Sequence, residues 1–160
     1  MVEPASSHIR EYTEADADAT LAIFTAAVME TAAADYSPEQ LWVWARPGER
    51  DRTGWHGAMS GRDSFVAVAG AKVVGFSDVS SSGFIDMLFV DPAWGGRGVA
   101  RALLAEAEGR ARATGAGELA ADVSITARPV FERLGFEAER PQEVVRDGVA
   151  LTNFRMRKTL

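Results

Sequence analysis

One stretch, Phe84 to Arg112, limits what this chain can become more than any other. Phe84 to Val90 is apolar except for Asp86 and too short for a globular helix, which predicts a strand buried on both faces. Asp91 and Pro92 end it. Gly95, Gly96 and Gly98 then leave the backbone bare, while Val99, Ala100, Leu103, Leu104, Ala107 and Ala111 recur at helical spacing, so a helix starts inside the loop. Unpaired amides at a helix start, glycines that permit close approach, and Arg97 and Arg101 one turn apart suit a pyrophosphate. Two common phosphate loops are excluded by spacing. There is no GxxxxGK[ST], and a GxGxxG frame set on Gly96 puts Arg101 where the third glycine belongs.

A chain of 160 residues is long enough for one domain with a proper core, expected to span 1–160. Its 47% apolar and 25% charged residues are those of a soluble globular protein. A net charge of −6 argues against nucleic acid as a partner and is compatible with cationic, amine-bearing substrates. With no cysteine, disulfides, thiolate metal sites and a cysteine nucleophile all drop out, and no His, Asp and Glu spacing suggests a metal site. The N-terminus lacks the segments of a signal peptide, and no apolar run reads as long enough to cross a bilayer; a cytoplasmic protein with no membrane partner is the expectation.

In chain order, Ser7 to Tyr12 predicts a first strand and Thr13 to about Ala34 a helix. Ser37, Pro38 and Gln40 cap a second helix running to about Ala45. Arg46 to Arg62 reads as a loop with one short helix. Ser64 to Ala69 and Lys72 to Val79 predict a hairpin. After the long helix come a strand at Glu118 to Val123 and a helix from Ser124 or Thr126 to Leu134, closed by Gly135. A last hairpin, Phe136 to Val145 and Val149 to Met156, turns at Asp147 and Gly148.

Gly96, Arg97, Gly98, Val99 and Ala100, preceded by Val90, Asp91 and Pro92 and followed by Ala102, Leu103 and Leu104, resemble the acetyl-CoA loop of the GNAT superfamily of N-acetyltransferases. Ser124 to Phe136 resembles its second signature, which usually reads Asn, x, x, Ala, x, x, Leu, Tyr, Glu, x, x, Gly, Phe. The wording around Ile85, Asp86 and Met87 and in Leu151 to Met156 is similar to the YafP-like subgroup. The resemblance implies an α/β fold: a central mixed, mostly antiparallel sheet whose parallel strands 4 and 5 splay apart, flanked by about four helices. Acetyl-CoA would lie in the wedge, its pantetheine on the backbone of Leu88, Phe89 and Val90 and its pyrophosphate on Gly95 to Arg101, with Ser124 and Phe131 completing the site. The implied activity is acetyl transfer to a primary amine of a small molecule by direct attack in a ternary complex. A weakly catalytic CoA-binding module and a protein-amine acetyltransferase stand as alternatives, and a homodimer through the last strands is possible.

Asp86, a carboxylate inside an apolar run, is the first candidate for catalysis, because unpaired burial would be costly and would lift its pKa. An alkyl ammonium, with a pKa of about 10.4, must lose its proton before it can attack a thioester. Ser124 is a candidate for orienting cofactor or water, with helix capping as the favoured alternative; the two roles can coexist. Phe131 stands where the resemblance implies a tyrosine that protonates the departing thiolate, and Gly95 where it implies Arg or Gln. Tyr36, Trp42, Trp44, Trp55 and His56 are acceptor-pocket candidates because an aromatic face holds an ammonium; Asn153 is a sixth.

Overall fold

The apolar run Phe84 to Val90 is divided between two sheets in the computed structural model, which describes residues 6–160. Residues 1–5, part of the N-terminus in which no signal peptide is read, lie outside the described residues. Strands β1 (His8–Glu11), β2 (Phe65–Ala69), β3 (Lys72–Ser77) and β5 (Leu88–Val90) form one antiparallel sheet in the order β1-β2-β3-β5. The other has the order β4-β6-β8-β7, from β4 (Phe84–Ile85), β6 (Glu118–Ser124), β7 (Glu137–Arg146) and β8 (Val149–Thr159).

The parallel pair at the centre is therefore brief. Phe84 faces Ala120 and Ile85 faces Ala121; then Asp86 and Met87 leave the sheet, and Leu88, Phe89 and Val90 cross over to Ser77, Phe76 and Gly75 of β3. Strands β5 and β6 diverge from this break, and the edge of β5 that faces away from β3 has no strand partner. The expectation of one continuous strand buried on both faces is corrected here: Leu88, Phe89 and Val90 are only partly buried, and Asp86 is exposed.

Helices cover both faces of the first sheet. Strand β2 is buried at all five positions, the mark of a strand with cover on each side. Phe65, Ala67 and Ala69 meet Leu103, Leu104 and Ala107 of α4 (Val99–Ala113), while Val66 and Val68 share a second cluster with Phe24 of α1 (Ala17–Ala26), Leu41 of α2 (Pro38–Ala45) and Met59 of α3 (Arg52–Gly61). Each fully buried Phe, Leu or Met contributes on the order of 2 kcal/mol through burial. A close approach sets where α4 begins: a Cβ on Gly75 of β3 would lie 2.9 Å from Val99 Cγ1 and 3.2 Å from Leu103 Cδ1.

Local signals explain most helix ends. Ser37 and Gln40 form the expected capping box with Pro38 in the first turn. Asp51 accepts the amides of Thr53 and Gly54, which starts a ten-residue α3 in the segment read as a loop with one short helix. The helix expected from Thr13 to Ala34 is not uniform: a 3-10 turn at Glu14–Asp16 precedes α1, a π turn at Ala27–Thr31 follows it, and a 3-10 turn at Ala32–Ala34 ends it. Helix α5 (Arg128–Arg133) starts later than expected, because Ser124 to Ala127 make a turn. Asp147 (φ 49°) and Gly148 (φ 78°) close the last hairpin with the paired left-handed residues that a two-residue turn demands.

One expectation about membranes needs correction. Glu14–Ala34 spans 21 residues with a mean hydropathy of 1.2, which is long and apolar enough by those measures to cross a bilayer. Its apolar side is a core face: Ala17, Ile23, Phe24, Val28 and Ala32 are buried against the first sheet and its neighbouring helices.

Candidate active site

The break between β4 and β5 opens toward the glycine loop. Gly96 (φ 74°) and Gly98 (φ 82°) adopt left-handed backbone, and Gly98 occupies the N-cap of α4. No side chain caps that helix, so its first amides keep their donors for a ligand. An added Cβ would find open space at Gly98, so backbone conformation, not crowding, requires the glycine. Arg97 stacks its guanidinium 4.8 Å over the Trp94 ring. Neither Arg97 nor Arg101 forms an ion pair among the described residues, so both charges remain for phosphate. The bare edge of β5 gives Leu88, Phe89 and Val90 the backbone groups with which an amide-bearing chain can pair as an added strand.

Two side chains from the end of β3 hold the break in shape. Asp78 accepts the backbone N–H of Asp86 through Oδ1 at 2.8 Å and that of Met87 through Oδ2 at 3.0 Å. Ser77 donates its hydroxyl to the Met87 carbonyl at 2.7 Å. The polar backbone freed by the break is thereby satisfied without a sheet partner. Asp78 is 2% exposed, and burial pushes its pKa up to about 6, against the opposing pull of the two amides and of Arg62. The carboxylate that burial raises at the break is thus Asp78. Asp86 carries a side chain that is 54% exposed, with Arg62 Nε 3.4 Å away, so the burial expected of it is absent. Asp78 ends an apolar strand much as Asp86 interrupts one, and that same signal could have singled it out.

An aromatic wall backs the β5 side of the cleft. Phe89 meets Phe24 edge-on at 5.0 Å, Phe76 at 5.8 Å and Trp44 at 6.4 Å. Of the aromatic candidates, Trp44 belongs to this wall, whereas Trp42 is 48% exposed and is not part of it. Tyr36 is buried and its hydroxyl is already engaged, donating to the Thr152 carbonyl of β8 at 2.6 Å and accepting the Ile125 N–H, just past β6, at 3.0 Å. Trp55 is buried between Phe24 and Phe76 and donates its indole N–H to Thr20. His56 pairs with the Tyr12 hydroxyl at 2.9 Å, a partnership outside this wall. Asn153 lies opposite Ser124 in the β6–β8 register and accepts from Gln142. Ser124 accepts the Ala127 N–H at 3.0 Å, which closes the turn before α5 and does not cap the helix, whose N-cap is Ala127; its own hydroxyl proton is left free to donate. Phe131 is 4% exposed and packs edge-on against Phe136, so that position offers a core contact and no hydroxyl. Among the described residues no group of His, Asp and Glu is placed to hold a metal ion.

A glycine loop at the start of α4, two strands that part at a break, and a bare edge between them form a cleft suited to a phosphorylated ligand with an amide-bearing chain. The family profile of the acetyltransferase (GNAT) domain matches residues 32–159. The chain is 41% identical over 149 residues, 93% of both proteins, to the uncharacterized N-acetyltransferase YafP of Escherichia coli (strain K12). It is similar in structure to a GCN5-related N-acetyltransferase from Rhodopseudomonas palustris, with a TM-score of 0.92 and 34% identity over 100% of this chain and 99% of that one. The PaiA N-acetyltransferase of Thermoplasma acidophilum, solved with coenzyme A, shares the fold at a TM-score of 0.77 and 19% identity over 97% and 99%. The chain belongs to the GNAT family: it is an acetyltransferase, and acetyl-CoA is its acetyl donor.

Proposed function

We propose that the acceptor is a primary amine of a small molecule, which attacks acetyl-CoA directly while both are bound. The observation that carries this reading is the break at Asp86 and Met87, which turns β5 away from β6 and leaves its edge bare beside the wall of Phe24, Trp44 and Phe89. Pantetheine pairs with the backbone of Leu88, Phe89 and Val90, and the pyrophosphate sits on the amides from Gly95 to Arg101. The amine nitrogen bonds to the thioester carbon, the carbon–sulfur bond breaks, and the electron pair leaves on the CoA thiolate.

Asp86 holds the incoming ammonium and takes its proton through water, its place at the break substituting for the burial it lacks. With a reference thiol pKa near about 8.5, the thiolate leaves without a tyrosine acid, which accommodates Phe131. Ser124, with a hydroxyl proton to donate, orients water or cofactor at the far side of the wedge.

Thiol release from acetyl-CoA, measured against a panel of small amines with the native chain and with Asp86→Asn, tests the proposal. Turnover that Asp86→Asn lowers by roughly 100-fold while CoA still binds supports it. Acetylation of protein amines alone would overturn the small-molecule reading, and undiminished turnover in Asp86→Asn would overturn the role of Asp86.

A further inference from the structure

Behind Met87 lies a cavity of about 220 Å³, lined by Arg50, Trp55, Ala58, Arg62 and Met87. Its two arginines are in different situations. Arg62 sits between two carboxylates, Asp78 and Asp86, each 3.4 Å from its Nε, yet that buried Nε makes no hydrogen bond. Arg50 has no carboxylate partner among the described residues. Its Nε and Nη2 donate to the carbonyls of Ala45 and Trp44 at 3.0 and 2.9 Å, which fixes the guanidinium at the end of α2, and its Cζ lies 4.8 Å from the Phe24 ring centre. Nη1 has no protein acceptor among the described residues and is not sealed from solvent. Asp51, the acid on the same cavity, is engaged by the first amides of α3.

The surroundings disfavour the positive charge of Arg50. Burial lowers the pKa of Arg50, and the nearby Arg146 and Arg46 lower it further, so the cation sits in a place that disfavours it. A bound anion would relieve that penalty, and a fixed guanidinium loses little freedom in binding one. Through Phe24, the same guanidinium is one ring away from Phe89 of the cofactor strand.

We infer that the amine acceptor also carries a carboxylate, which docks on Arg50 in this cavity and so presents the amine at the break beside Met87. The acceptor class is then a small aminocarboxylate rather than a simple alkylamine or polyamine. This rests on the small-amine reading above. It also assigns specificity to a residue outside the two signatures.

The test compares an aminocarboxylate with the amine left when its carboxyl group is removed, measuring kcat/KM for each with the native chain. The expected preference for the carboxylate form is roughly 10- to 100-fold, the value of one hydrogen bond to a charged group. Arg50→Gln should collapse that ratio, mainly by raising KM for the aminocarboxylate. Because Arg50 also holds two carbonyls, Ala58→Glu provides a second variant: an exposed helix position takes a good helix former, and the new carboxylate repels the ligand's own. It too should collapse the ratio. A native preference for the decarboxylated amine, or a ratio unmoved by both variants, overturns the carboxylate subsite and leaves the small-amine reading standing. If neither acceptor class is acetylated although CoA binds, the small-amine reading itself fails and the subsite with it.

Discussion

Asp78 Oδ1 accepts the backbone N–H of Asp86 at 2.8 Å, so a buried carboxylate at the exit of β3 dictates the conformation of an exposed one at the break. With its other oxygen on the Met87 amide, Asp78 fixes where β4 stops and β5 begins.

Asp78 therefore links stability to pH. Its folded pKa, about 6, is above the unfolded value of 3.8, so folding takes up a proton between them. The stability this gives is fully present below about pH 4 and is lost as pH rises through about 6, on the order of 3 kcal/mol. Asp78→Asn should flatten that slope in urea unfolding curves taken on either side of the window. It should also raise KM for acetyl-CoA, because the amide group presents a donor to one of the two backbone donors.

Gly98→Ala should weaken CoA with little change in fold. The position has room for a methyl group but holds φ at 82°, which costs a residue with a Cβ roughly 1–2 kcal/mol. Isothermal titration should read a rise in Kd of roughly 5- to 30-fold, since the strain is relieved only by turning the amides away from the pyrophosphate.

Gly75→Ala acts on the same loop from beneath. The new methyl would press on Val99 Cγ1 at 2.9 Å and on the Phe89 carbonyl at 3.1 Å, forcing α4 off the sheet. Overpacking of this kind costs roughly 1–3 kcal/mol. Unlike Gly98→Ala, it should lower the melting temperature and CoA affinity together.

Tyr36→Phe removes a hydroxyl that serves the Thr152 carbonyl and the Ile125 amide at once. The partly buried Ile125 amide is left unpaired, at about 1–3 kcal/mol. Thermal unfolding should shift down by roughly 2–10 °C. KM for the acceptor should change little, because the ring stays against Trp44.

Sequence alone determined the parts whose cause is local. Glycines at Gly96 and Gly98 impose the loop, the spacing from Val99 to Ala111 imposes α4, Ser37 and Gln40 cap α2, and Asp147 and Gly148 turn the last hairpin. These follow from allowed dihedral angles, periodicity and short-range hydrogen bonds. Tertiary structure decided what depends on contacts distant in sequence. Periodicity could not show that Phe84 to Val90 would break, because the acceptors for its freed amides belong to Asp78. Nor could composition separate Trp44 on the aromatic wall from exposed Trp42, since their two-residue spacing, roughly half a turn, sets them on different faces of α2. Arg50 was invisible for the same reason: its missing carboxylate is a fact about neighbours assembled from α1, α2 and α3. Local rules fix which element forms, but whether a charge is paired or a carboxylate buried is fixed only when the elements meet.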